Sequence, residues 1–148
     1  MTFVAAVRST PHLKKHLKPG MTAIRKSDRA RVRCSQPRRL TGSVDLDSAL
    51  KPIHPKKPRW DYGIGLGSRV VWLEVHPASS HHIDEVLNKL EWLQGWMETE
   101  APALRRLRAE FIWLASGRVG FRSGSPQMKR IAECGLKFRA RQIVVDAD

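Results

Sequence analysis

Almost all of the excess positive charge of this 148-residue chain lies in its first two-fifths. Residues 1–60 contain 15 Lys and Arg residues but 3 acidic residues, whereas residues 61–148 contain 12 and 11. The first part is also short of large apolar residues and is interrupted by proline and glycine. Low hydrophobicity with high net charge is typical of a segment that is disordered or that orders on binding. We therefore expect a basic, partly disordered N-terminal arm over residues 1–42 and a compact domain over residues 43–148.

The formal net charge of +13 favours a polyanionic partner. A nucleic acid supplies affinity to such a protein through counterion release from its phosphates. We expect DNA or RNA as the partner; an acidic protein partner, a second copy of the chain, and a flexible tail without a partner stay open as alternatives. Trp60, beside the basic linker, is the best candidate for stacking on a base. With Trp60, the predicted nucleic-acid-binding residues are Arg25, Lys26, Arg29, Arg31, Arg33, Arg38, Arg39, Lys56, Lys57 and Arg59.

Several classes of protein are disfavoured by what the sequence lacks. Cys34 and Cys134 are far apart and form neither a disulfide framework nor a CxxC zinc pattern. No apolar run approaches the roughly 18–20 residues that span a bilayer. The first residues lack the charged start of a signal peptide. These features predict a cytoplasmic protein with reduced thiols and no membrane association.

From about residue 60 the hydrophobic pattern becomes that of a globular domain. Two apolar runs separated by glycines predict a β-hairpin, and the apolar spacing over residues 80–98 predicts an amphipathic helix. Ser125, Pro126 and Gly135 supply the cap, first residue and end signal of another helix. In chain order, the predicted elements are a helix over 43–50, an extended linker over 51–59, strands over 60–66 and 69–75, helices over 80–98 and from 102, a strand over 111–115, a helix from 126 and a strand over 142–145. Because strands and helices alternate, we expect an α/β fold with a mixed central sheet and flanking helices.

The clearest candidates for chemistry are Asp61, Glu74 and His76. Alternate residues of a strand share one face, so Glu74 and His76 should point the same way at the end of their strand. The hairpin would bring Asp61 beside them. Two adjacent carboxylates repel unless a cation neutralises them, and Mg²⁺ prefers such oxygen ligands. A Mg²⁺ ion beside a phosphodiester can activate water and stabilise charge on the phosphate.

Over about residues 43–116, this arrangement resembles the PD-(D/E)xK nuclease superfamily. That family has a helix, a hairpin bearing Asp and then Glu-x-Lys, a crossover helix and a further strand. The resemblance implies a restriction-endonuclease-like core, with Asp61 and Glu74 as metal ligands of a metal-dependent nuclease. His76 stands where the family usually has lysine, and Lys89 on the following helix is the candidate replacement. Asp45 or Asp47 would add a carboxylate from the preceding helix. A binding-only member without cleavage remains the alternative.

The neighbouring histidines allow a second interpretation. His76, His81 and His82, with Asp84 or Cys134, are candidate ligands for Zn²⁺. However, adjacent histidines at a helix start point in different directions, and the sequence lacks a known zinc-ligand spacing. We therefore favour a role for His81 and His82 as polar residues at the helix start. The other tryptophans, Trp72, Trp92, Trp96 and Trp113, are expected in the core.

Overall fold

The computed structural model describes residues 1–147, which form an α/β fold. The helices are α1 (Phe3–Arg8), α2 (Lys26–Arg29), α3 (Leu46–Leu50), α4 (Ile83–Glu100), α5 (Pro102–Arg105) and α6 (Pro126–Glu133). The strands are β1 (Val32–Arg33), β2 (Gly42–Asp45), β3 (Tyr62–Leu66), β4 (Arg69–Ala78), β5 (Arg108–Val119), β6 (Leu136–Ala140) and β7 (Ile143–Val144). Short 3₁₀ turns lie at Lys14–His16, Pro37–Arg39 and Ser80–His82.

A five-stranded mixed sheet forms the centre of the molecule, in the order β2-β3-β4-β5-β6. The pairs β2–β3 and β3–β4 are antiparallel, whereas β4–β5 and β5–β6 are parallel. The short strands β1 and β7 form a separate parallel pair. The predicted mixed sheet with flanking helices is therefore confirmed.

The predicted hairpin is present as β3 and β4. Tyr62 lies opposite Leu73, and Gly67 makes the turn with a φ of +66°, a backbone conformation that favours glycine. Strand β4 has both faces covered, which explains its nearly continuous apolar sequence. Trp72 belongs to one hydrophobic cluster, and Val71 and Leu73 belong to the other.

Helix α4 is the crossover between the parallel strands β4 and β5, as such a connection requires. Its buried face includes Ile83, Val86, Leu90 and Leu93, at the spacing that the sequence predicts. Asp84 and Glu85 lie in its first turn, where negative charge is favourable. The predicted helix over residues 80–98 is confirmed, with a 3₁₀ turn at its start.

The N-terminal segment does not form a separate arm. Phe3, Val7 and Leu13 are fully buried in the cluster that also contains Trp72, and Ile24 and Val32 are buried against the opposite face of the sheet. A few apolar residues at suitable positions are therefore enough to hold this basic segment on the core. The expected disorder, and the boundary expected at residue 42, are not confirmed.

Two local predictions between residues 43 and 59 are wrong. Gly42–Asp45 is a strand, and the helix begins only at Leu46, with Asp45 accepting the capping hydrogen bond from Ser48 N. The proline-rich linker is a series of turns rather than an extended chain, because His54 N and Lys57 N bond back to carbonyl groups of residues 50 and 54. The strand signal of Gly42–Asp45 was hidden by the two aspartates, which resemble the acidic start of a helix.

The remaining predictions differ mainly in element length. Helix α6 is capped by Ser125 and followed by Gly135 at a φ of +79°, as expected. The helix from Pro102 is a single turn, and the strand predicted over 111–115 extends over Arg108–Val119. The edge strand Leu136–Ala140 was not predicted. Within residues 1–147, every helix lacks the combination of length and apolar character needed to cross a membrane.

Candidate functional site

The hairpin brings Asp61 and Glu74 together at the start of β3. Asp61 precedes the first paired residue of β3, and its backbone N donates to Glu74 Oε1 at 3.1 Å. In return, Val75 N donates to Asp61 Oδ2 at 3.0 Å. One oxygen of each carboxylate is thus held by the backbone, which leaves Asp61 Oδ1 and Glu74 Oε2 to face a third group.

That third group is the ammonium of Lys89, on the second turn of α4. Lys89 Nζ hydrogen-bonds Glu74 Oε2 and lies 3.6 Å from Asp61 Oδ1. The Glu74 side chain is completely buried, whereas those of Asp61 and Lys89 keep 22% and 14% exposure. The site is therefore a mostly buried carboxylate pair bridged by one cation, with its accessible side at Asp61.

The charges shift the protonation equilibria of this group. Burial and the neighbouring Glu74 carboxylate raise the pKa of Asp61 from its usual 3.8 to about 7, despite the opposing effect of Lys89. Burial alone would lower the pKa of Lys89, but the carboxylates of Glu74 and Asp61 outweigh it and raise that pKa. Asp61 thus holds a proton to a higher pH than an ordinary aspartate, while Lys89 remains charged.

His76 shares the sheet face of Glu74, as the strand alternation predicts. Its Nδ1 lies 3.2 Å from Glu74 Oε2, and its Nε2 lies 3.3 Å from Glu85 Oε2 on α4. The hydrogen bond to Glu74 raises the pKa of His76 in spite of partial burial. His76 therefore links the buried carboxylate to the exposed start of α4.

The two aspartates of the preceding segment have different positions. Asp45 caps α3 and bonds Ser48, so both its oxygens are engaged away from the carboxylate pair. Asp47 accepts from Arg59 Nε at 3.0 Å and is close enough to raise the pKa of Lys89. Of the two predicted alternatives, Asp47 is thus the one beside the site.

A further carboxylate near the site was not predicted. Asp28 on α2 accepts a hydrogen bond of 2.6 Å from the buried Tyr62 hydroxyl, and its charge contributes to the raised pKa of Asp61. The signal in the sequence was a single acid among the cations of residues 25–33. Its distance of more than thirty positions from Asp61 hid the contact.

Several predicted nucleic-acid-binding residues have internal partners. Arg59 is mostly buried and donates to Asp47 and to the carbonyls of His54 and Pro55. Arg31 donates to Ser116 O, and Arg39 donates to Asp146 O. These contacts engage the three arginine side chains within the folded chain, although Arg39 keeps 36% of its side chain exposed.

Trp60 is completely buried, so the prediction that it stacks on a base is wrong. Its indole packs in the hydrophobic cluster under α3, because the turns of residues 51–59 carry the chain back to the core. The other predicted core tryptophans are buried or partly buried as expected. Of the predicted basic residues, Arg29 is half-buried, and the exposed ones are Arg25, Lys26, Arg33, Arg38, Lys56 and Lys57.

The zinc arrangement weighed from the sequence is only partly formed. His81 is exposed, and Asp84 pairs with Arg130. His76 and His82 are neighbours, with ring centroids 5.3 Å apart. The carboxylate that joins them is Glu85, which was not among the predicted ligands.

In comparisons with known proteins, no family model, curated protein or solved structure matches this chain. A functional argument therefore rests on the chain's own residues. Asp61 Oδ1 and Glu74 Oε2 are the oxygen atoms suited to a hard divalent cation, and Lys89 Nζ now lies between them. A bound cation would require the ammonium to move aside.

Proposed function

We propose that this protein is a nucleic-acid-binding, metal-dependent nuclease with a restriction-endonuclease-like core. The observation that carries the proposal is the contact of Lys89 with both Asp61 and Glu74. A lysine from the crossover helix thereby occupies the place beside the carboxylates that the Glu-x-Lys lysine would fill from the strand. The pair of carboxylates and the neighbouring lysine ammonium that the resemblance implies are therefore side by side, although the lysine comes from α4 and not from β4.

The sheet supports the same proposal. An antiparallel hairpin that carries Asp61 and Glu74 continues through the crossover helix α4 into the parallel strand β5. This is the element order of the PD-(D/E)xK core. The carboxylates lie beside the junction between the antiparallel and parallel halves of the sheet.

In the proposed reaction, the exposed side of Asp61 admits one phosphodiester of the nucleic acid. Mg²⁺ bound by Asp61 and Glu74 would polarise the phosphate and lower the pKa of a bound water. Lys89, displaced from between the carboxylates, would donate hydrogen bonds to the phosphate oxygens as negative charge develops on them. His76 would hold Glu74 in place through its Nδ1, and this hydrogen bond raises the pKa of His76.

Basic residues at the N-cap of α2 and within it lie near the site. Arg25 lies 4.0 Å from Asp47, and its backbone N contacts the hydroxyl of Tyr62, the residue after Asp61. Lys26 continues the exposed positive surface, and Arg29 ends the helix. This α2 cluster (Arg25, Lys26 and Arg29) is the part of the basic segment best placed to guide phosphates to Asp61.

A second candidate function is nucleic-acid binding without cleavage. The observation in its favour is that Glu74 is fully buried and already neutralised by Lys89. A buried ion pair of this kind can serve structure alone. The two candidates differ in whether a divalent metal changes what the protein does to its partner.

The test is incubation of purified protein with supercoiled plasmid, single-stranded DNA and RNA in Mg²⁺, Mn²⁺ or EDTA. We expect cleavage of at least one substrate with metal and none in EDTA. Glu74→Gln should abolish it, whereas Glu110→Gln, an acid on the neighbouring strand β5, should not. Salt-sensitive binding without cleavage would leave the binding module as the function. Cleavage that persists in Glu74→Gln would refute the site.

A further inference from the structure

Three side chains of the kinds that bind metals lie close together beside the carboxylate pair, and neither Asp61 nor Glu74 is among them. One donor atom each from His76, His82 and Glu85 lies within 4.8 Å of the others. We propose that these residues form a second metal site, selective for Zn²⁺ or a similar nitrogen-binding transition metal. This proposal does not depend on the nuclease function, because it concerns different donor atoms and a different class of metal.

The orientation of His76 favours coordination. Its Nδ1 is held at 3.2 Å from Glu74 Oε2, and its Nε2 points to Glu85 Oε2 at 3.3 Å. A metal-binding histidine commonly donates its second ring nitrogen to a carboxylate, which fixes the ring and makes it a stronger ligand. Glu74 is the carboxylate that would accept from His76 Nδ1, which leaves His76 Nε2 as the nitrogen that would bind a metal.

His82 is oriented in a comparable way by another element. The Ser79 backbone N donates to His82 Nδ1 at 3.3 Å, and Ser79 Oγ lies 2.7 Å from the same nitrogen, at the turn that begins the crossover helix. These contacts hold the ring through Nδ1. Coordination through Nε2 would require the tautomer in which Nδ1 carries the proton and donates to Ser79 Oγ instead of accepting from Ser79 N.

The donor set points to a particular metal chemistry. Two imidazoles and one carboxylate, with a fourth position open to water, form a known type of zinc site. Bonds of 2.0–2.1 Å in tetrahedral geometry place ligand atoms about 3.3 Å apart, and His76 Nε2 and Glu85 Oε2 already have this separation. Glu85 is 57% exposed on the first turn of α4, so its side chain is free to adjust and the fourth position faces solvent.

The three residues are too dispersed for a recognisable sequence motif. His82 and Glu85 are three positions apart, and neighbours at this spacing lie on one helical face. His76 comes from the end of the preceding strand. The exposed His81 and the Arg130-paired Asp84, which lie between them in sequence, point elsewhere. The turn at Ser79 lies between the strand that carries His76 and the helix that carries Glu85.

The experiment is a titration of untagged, chelator-stripped protein with Co²⁺, followed by displacement with Zn²⁺. Four-coordinate cobalt with nitrogen ligands absorbs visible light strongly, whereas an octahedral all-oxygen site absorbs weakly. We expect strong bands that saturate at about one equivalent and disappear when Zn²⁺ is added. Absence of the bands, with no Zn²⁺ bound by calorimetry, would overturn the proposal.

Matched variants assign the ligands. His82→Ala and Glu85→Gln should each weaken Zn²⁺ binding by at least about tenfold. His81→Ala and Glu91→Gln, which change exposed residues of the same segment, should leave it unchanged. Glu85→Gln alters an exposed side chain, so a folding defect in His82→Ala would not prevent the test. Equal affinity of the Glu85→Gln and wild-type proteins would contradict the assignment.

One further variant separates the two sites. Asp61→Asn changes the carboxylate pair and not the three proposed ligands, so the cobalt bands should persist in it. Loss of the bands in Asp61→Asn, with retention in His82→Ala, would place the metal at the carboxylate pair and overturn a second site. Cleavage of nucleic acid is not measured, so failure of this proposal and failure of the nuclease are distinguishable.

Discussion

Lys89 is the residue that makes the burial of Glu74 tolerable. A carboxylate removed from water is costly unless it is paired and hydrogen-bonded. Glu74 receives hydrogen bonds from Lys89 and from the backbone of Asp61, and it contacts His76. Stability and the proposed chemistry therefore depend on the same ammonium group.

Replacement of Lys89 by methionine should destabilise the protein. The variant keeps the volume of the side chain but leaves Glu74 buried beside Asp61 without its cation, at an expected cost of about 3–5 kcal/mol. Adding Glu74→Gln to the variant should recover part of this loss. Urea unfolding measures the free energies of unfolding of the single and double variants, with Lys129→Met, at an exposed position on α6, as control. A loss below about 1 kcal/mol for Lys89→Met would show that the pair is not coupled as described.

The raised pKa of Asp61 predicts a dependence of stability on pH. Between pH 3.8 and about 7, folded Asp61 retains a proton that the unfolded chain releases. Raising the pH across this window therefore lowers this residue's contribution to the free energy of unfolding. In Asp61→Asn the contribution is absent, so the stability of the variant relative to wild type should increase from pH 4 to pH 7. Denaturant unfolding across this range checks it, with Glu98→Gln as control; parallel curves for Asp61→Asn and wild type would contradict it.

At this scale the sequence predicted some contacts and missed others. Asp61, Glu74 and His76 were expected together because hairpin pairing and strand alternation are simple rules. Lys89 was named only as a substitute, since the rotation of α4 about its axis relative to β4 is decided by packing. Asp28 and Glu85 were missed for the same reason: each reaches the site from another element.

At the scale of elements, α1 and β3 are mutually dependent. Gly65 on β3 faces Phe3 on α1, and a Cβ at Gly65 would overlap the phenyl ring. Phe3 is fully buried at that point, and its backbone N donates to Gly67 O at 2.8 Å. The glycine is thus required by close packing rather than by its backbone angles.

Gly65→Ala should therefore destabilise the protein by about 1–3 kcal/mol through overpacking. In a Phe3→Ala background the same substitution should cost less, because the ring is gone and the Cβ of residue 3 is the part of that side chain that stays close to the added methyl group. Gly95→Ala, on α4 with open space where the added Cβ would lie, should instead stabilise by about 0.5–1 kcal/mol. Thermal and urea unfolding of wild type, Gly65→Ala, Phe3→Ala and the double variant gives the coupling free energy between residues 3 and 65. An equal cost of Gly65→Ala in both backgrounds would mean that α1 does not pack there.

The elements with a strong internal period were predicted well. The hairpin, the crossover helix and the Ser125-capped helix follow from alternation, helical spacing and caps. Strand β6 was missed although Leu136, Phe138 and Ala140 alternate with Lys137 and Arg139, which is the pattern of a half-buried strand. The sequence predicts an arm over residues 1–42 because their few core residues, among them Phe3 and Ile24, are separated by many charged residues.

At the scale of the whole molecule, the positive charge is arranged over a folded surface. The basic segment is held against both faces of the sheet, and the α2 cluster lies near Asp61. The other end of β4 begins at Arg69, which lies opposite Arg108 of β5 in the strand register. Arg69 is five residues, or about 16 Å, before Glu74 along the strand. Exposed cations also lie at this distant end, at Arg105, Arg106 and Arg108.

The triple variant Arg25→Gln/Lys26→Gln/Arg29→Gln should weaken nucleic-acid binding and flatten its salt dependence. Each lost phosphate contact lowers the slope of log affinity against log salt by about 0.7–0.9. The variant Arg105→Gln/Arg106→Gln/Arg108→Gln removes the same net charge from the far end and should change the slope less. Fluorescence anisotropy at a series of salt concentrations measures both slopes. Equal changes in the two variants would indicate binding by net charge alone.

The most direct test of the carboxylate site compares the Mg²⁺-dependent cleavage rates of wild type and Asp61→Asn. Asparagine retains an oxygen that accepts from Val75 N while it removes the charge that would bind the metal. With a folded variant, confirmed by circular dichroism, we predict a loss of cleavage rate of at least about 100-fold. Cleavage by Asp61→Asn at the wild-type rate would contradict the central claim that Asp61 and Glu74 hold the catalytic metal.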